Sequence, residues 1–84
     1  IDLINQVEFD THKTEQMLAK VGDQLDPAER QRIERAIAEL RHFARDTNDL
    51  DALHQRLTEF GRRTLHLAEL GIRAALQERE NVGT

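Results

Sequence analysis

The chain contains no cysteine, serine, tyrosine or tryptophan, one proline, and no apolar run longer than three residues. Each absence removes a class of function. Without thiols there are no disulfides, no thiolate nucleophile and no sulfur ligand for zinc or iron, so no oxidising compartment is called for and the expected location is the cytoplasm. Without serine or cysteine, hydrolase triads built on either nucleophile are excluded. The four glycines stand at least ten residues apart, which leaves no glycine-rich phosphate loop. A membrane span needs about eighteen or more consecutive apolar residues, and no secretory signal core is visible, so no membrane association is expected. Twelve Lys+Arg against sixteen Asp+Glu, a formal net charge of -4, are scattered along the whole length. That is no electrostatic footprint for nucleic acid.

What is present points to helices. Eleven Leu, nine Ala, ten Arg, nine Glu and six Gln are strong helix formers, against three Val, and strands are not expected. At 84 residues and 38% apolar content the chain can build one small core. Ile4, Val7, Thr11, Thr14, Leu18, Val21 and Leu25 recur at spacings of three and four, one side of a first helix. Gly22-Asp23 reads as a left-handed stop that ends it near Val21. Asp26 as cap, Pro27 at the first helical position and Glu29 completing a capping box start a second helix at Pro27. Its inner face is Ile33, Ala36, Ile37, Leu40, Phe43 and Ala44. The polar run from Asp46 to Asp49 is a tight connection. A long last helix follows, with Leu50, Leu53, Leu57, Phe60, Thr64, Leu67, Gly71 and Ala74 inward. It is expected to bend or break near Gly61, beyond which the apolar face widens to Leu65, Ala68, Leu70, Ile72 and Leu76. Short loops make neighbours antiparallel. The predicted fold is therefore all-α: an up-down-up antiparallel bundle over residues 1–79, with a frayed tail at 80–84. Because the chain opens at Ile1 inside a helical pattern, further natural sequence is expected upstream.

Two Glu/Asp-x-x-His pairs, Glu39 with His42 and Asp51 with His54, have the spacing of di-iron carboxylate sites. Their positions on the helical wheel aim them at water, so no metal or cofactor site is expected. Asp49 and Asp51 sit where cap and first-turn acids belong, and the arginines are interleaved with glutamates as a solvated surface. No catalytic group emerges. Phe9 stands apart, about 160° from the centre of the first helix's apolar stripe. An exposed aromatic there implies a partner surface. Glu8 and His12, one turn apart and also off the stripe, are placed to make charge-assisted contacts beside it.

The run Asn5-Gln6, His12, Thr14, Gly22-Asp23 and Leu25, followed by Ile33-Glu34, Ala36 and Leu40, resembles the C-terminal helical lid of Hsp70 chaperones from about Asp2 to Leu76. Ala28-Glu29-Arg30-Gln31, Phe43-Ala44, Asp49-Leu50-Asp51-Ala52-Leu53 and Thr64 resemble the branch dedicated to iron-sulfur cluster assembly. The resemblance implies a lid that closes over a peptide-binding β-sandwich of the same full-length protein and slows release of client polypeptides. Closure would be driven by ATP hydrolysis in a separate N-terminal domain, so the fragment itself would be no enzyme. It further implies that Glu8 and His12 match an acid and a histidine that latch the lid onto the sandwich's outer loops. A self-associating adaptor, pairing weakly with a copy of itself through Phe9, is the other reading these residues allow.

Overall fold

A computed structural model describes residues 2–82, with side chains through Arg79; Ile1, Gly83 and Thr84 lie outside the described residues. The protein is all-helical there, as the composition predicts: α1 (Leu3–Val21), a short 3-10 turn (Gly22–Gln24), α2 (Pro27–Asp46), α3 (Leu50–Arg63) and α4 (Leu65–Val82). Each of the first three long helices begins at an acidic cap whose carboxylate accepts from an otherwise unpaired backbone N–H: Asp2 from Ile4, Asp26 from Ala28 and Asp49 from Ala52. α1 starts at Leu3, after an extended Asp2.

α2 returns antiparallel along α1, so that Arg41 meets Thr11 and Glu15 at one end and Arg30 meets Gly22 at the other. α3 returns along α2, with Arg56 over the Phe43 ring at 4.6 Å. α3 and α4 together form the third arm, running in the same direction as α1 and packing against it. The up-down-up order is as expected. Val7, Leu18 and Val21 of α1, Ile33, Ala36, Ile37, Leu40 and Ala44 of α2, Leu53 and Phe60 of α3 and Leu67 of α4 close one core, with Leu25 beneath the turn.

Three threonines sit in this apolar interior. Thr11 donates to the Val7 carbonyl at 2.7 Å, Thr14 to Asp10 at 2.7 Å and Thr64 to Phe60 at 2.9 Å. A hydroxyl that bonds back to the preceding turn satisfies itself and leaves only its methyl for the core. Among the described residues no buried side-chain polar atom lacks a partner.

Five expectations are corrected. The break in the last helix falls at Thr64, not Gly61. Thr64 stands at φ −101°, ψ 8°, three residues past Gly61, and its hydroxyl donates to the Phe60 carbonyl at 2.9 Å; Thr11 and Thr14 make the same bond inside an unbroken α1, so the bond accompanies the break without causing it. Gly22 is right-handed at φ −63°, ψ −22°, because the chain tightens into a 3-10 turn; a Cβ there would stand 3.3 Å from the Arg30 guanidinium, the far end of a flexible side chain. Glu29 reaches across to His66 Nδ1 at 3.0 Å, so the cap rests on Asp26 alone. α4 is helical to Val82, and the expected fraying of Gly83 and Thr84 falls outside the described residues. Finally, three members of the face that widens past the break are not core: Leu65, Ile72 and Leu76 are 56, 60 and 53% exposed, since α1 covers only one side of α4, whereas Leu70 is partly buried and packs against the core. Leu50, at 63%, likewise projects past the start of the α2–α3 contact.

Candidate functional site

The outer face of α1 follows from the registry of its inner one. Val7 and Thr11 are 1 and 0% exposed, and these fix the rotation of the helix about its axis. Glu8, Phe9 and His12 are then turned outward together. Phe9 is 63% exposed, a large ring with no apolar neighbour of its own domain to cover it. Glu8 and His12 lie one turn apart on the same rigid helix, and among the described residues no hydrogen bond joins them.

Beside them runs an ion-pair network that the linear pattern did not reveal. Arg41 of α2 grips Glu15 with two parallel bonds, Nη1 to Oε2 at 3.0 Å and Nη2 to Oε1 at 2.6 Å, and its Nε donates to Thr11 Oγ1 at 3.2 Å. The guanidinium hydrogen bond holds the Glu15 carboxyl below its ordinary value of 4.5 against a small opposing effect of burial, with further help from the charges of Arg41 and His12. The same bond raises Arg41, and the Glu8 carboxylate adds to that through space. Glu8 and His12 thus flank a fixed charge pair. Arg41 lies thirty residues from Thr11, and the available sequence signal was only a threonine standing in an apolar stripe.

The remaining candidates do not converge. His42 is solvent-facing and bonds Asp46 of its own helix at 3.1 Å; His54, Glu39 and Asp51 are exposed and separate. Among the described residues no group of three His, Asp or Glu is placed to hold a metal ion, and no helix is long and apolar enough to cross a membrane. The groove between α2 and the third arm, about 460 Å³, is lined by Glu29, Arg32, Arg35, Glu39 and Arg63, charges of both signs with no nucleophile. The arrangement on α1 offers an acceptor, a titratable donor and an apolar ring on one rigid surface.

No protein-family model and no solved structure matches the chain.

Proposed function

We propose that this chain is the helical lid of an Hsp70-type chaperone, an interaction module that closes over a peptide-binding β-sandwich elsewhere in its full-length protein and slows the escape of a bound polypeptide. Iron-sulfur cluster assembly is the setting its α2 and α3 residues favour, in the cytoplasm and with ATP hydrolysis carried by another domain. The observation that carries the reading is the exposed Phe9 ring, 63% accessible, between Glu8 and His12 on a face that its own bundle leaves bare. A latch needs such a surface: rigid, one-sided, and able to form charge-assisted hydrogen bonds when a loop closes on it. The lid role assigns Glu8 and His12 to the sandwich loops and Phe9 to the apolar surface between them.

The test joins this chain to the peptide-binding sandwich of an Hsp70 in place of the resident lid and follows release of a fluorescent peptide. Replacing Glu8 or His12 with alanine removes a hydrogen bond to a charged group, about 1 to 3 kcal/mol, so release should quicken by roughly 5- to 150-fold. Equal release with and without the joined chain refutes the lid role; equal release from wild type and both variants refutes the latch alone.

A further inference from the structure

α4 is apolar on two opposite sides. At about 100° per residue, Leu67 and Ala74 lie within about 20° of the side facing α1, where Leu67 is 0% exposed. Leu65, Ile72 and Leu76 fall within about 40° of one another on the reverse side, each more than half exposed. A helix with apolar residues on both sides is normally covered on both, and in this bundle only one cover is present.

The residues along the outer stripe say what the second cover is. Ile72 lies at its middle, Leu65 and Leu76 towards its ends. Glu69 and Arg73, both exposed, stand one turn apart along one edge; Ala68 and Ala75 line the other. When a helix meets its own copy antiparallel across a twofold axis, each edge faces the same edge of the copy. Placing the axis near Gly71 sets Leu65 against Leu76 of the copy at both ends, Ile72 beside Ile72 at the centre, and Glu69 opposite Arg73 twice. One register satisfies the apolar contacts and both charge pairs. A parallel pairing would bring the charged edge against the alanine edge and leave the charges unpaired.

We propose that the outer face of α4 is a self-recognition surface, through which two copies of this chain pair antiparallel about a twofold axis near Gly71. The seam uses none of Glu8, Phe9 or His12, so it stands apart from the lid reading. A stripe of three large side chains covers less than the about 800 Å² per partner of a standard interface, and the dimer is correspondingly weak.

Sedimentation equilibrium of the 84-residue chain from about 10 μM to 1 mM tests it, with helicity followed by circular dichroism. A concentration-dependent dimer is expected. Ile72→Glu should abolish it, while Phe9→Glu leaves it intact. Glu69→Arg or Arg73→Glu alone places like charges together and should weaken association about tenfold, and the double reversal E69R/R73E should restore it to within about threefold. Since the chain has no cysteine, orientation is read from single replacements: Leu65→Cys mixed with Leu76→Cys should form a disulfide-linked pair. Leu65→Cys alone should not, because those positions lie about 18 Å apart along the antiparallel seam. A strict monomer at about 1 mM, a dimer that Ile72→Glu leaves intact, or disulfide dimers from Leu65→Cys alone would overturn the proposal.

Discussion

Leu65 and Leu67 are two residues apart in α4, chemically identical, and placed on opposite sides of it. Leu67 is 0% exposed, behind α1, and Leu65 is 56% exposed. Truncation to alanine should separate them sharply. Leu67→Ala loses buried methyl groups and leaves a void against Met17 and Thr14, for which about 2 to 5 kcal/mol is the usual cost. A domain of this size has only about 4 to 13 kcal/mol in all. Taking about 3 kcal/mol and about 4 to 8 °C of melting shift per kcal/mol in a small domain, the melting temperature should fall by about 12 to 24 °C. Leu65→Ala trims a side chain that is already more than half exposed and should stay within about 0.5 kcal/mol, or about 4 °C. Thermal and urea melts at about 10 μM keep association out of the comparison. Urea slopes equal to wild type would confirm that the midpoint shift reports stability and not a change in compactness. Equal shifts for the two variants, or a larger one for Leu65→Ala, would mean that α4 is rotated about its axis from the orientation described, and would remove the outer stripe along with the inner one.

Gly61→Ala should stabilise by about 0.5 to 1 kcal/mol, because Gly61 lies inside α3 with nothing within 4 Å of an added Cβ; a destabilised melt would place the helix break there after all. Gly22→Ala should change stability by less than about 1 kcal/mol, since its right-handed backbone suits alanine and the Arg30 guanidinium, 3.3 Å from the added Cβ, can swing aside; chemical denaturation of both variants reads the difference. Glu15→Gln should cost up to about 1 kcal/mol at neutral pH, the upper end for an accessible pair held by two bonds. Because the folded carboxyl titrates below 4.5, that contribution is fully present above about pH 4.5 and disappears as the pH falls through the lowered value. Wild type and Glu15→Gln should therefore converge in stability as the pH falls below the lowered value, and a gap that does not narrow on acidification would refute the pairing.

Much of the fold was legible because helices announce themselves locally. The start of α2 at Pro27 needs only Asp26 and the fixed φ of proline, and the stripe from Ile33 to Ala44 needs only its spacing. The end of α1 at Val21 was located correctly for an incorrect reason: α1 stops by tightening into a 3-10 turn at Gly22, not by a left-handed glycine backbone. The break in the last helix shows the same limit. Glycine propensity identifies the weakest position, Gly61, yet the backbone leaves helical values three residues later, at Thr64. Propensity ranks costs; it does not say which cost is incurred.

The outward turn of Glu8, Phe9 and His12 was legible from the wheel, since a face is defined as soon as its opposite is. What periodicity could not supply were pairs distant in sequence. Arg41 with Glu15 ties α2 to α1, His66 with Glu29 ties α4 to α2, and Lys20 with Glu78 at 3.1 Å ties α1 to α4, one cross-link for each pair among α1, α2 and α4. Their residues look like ordinary solvated charge until the helices are placed. Individually such accessible pairs contribute little, but each forms in only one relative sliding of its two helices, because a shift of one turn moves the partner by about 5.4 Å. The apolar stripes hold the three arms together, and their close packing sets most of the register. The cross-links favour the same register, and in the proposed seam of α4 Leu65, Ile72 and Leu76 provide attraction while Glu69 with Arg73 choose the direction and the offset.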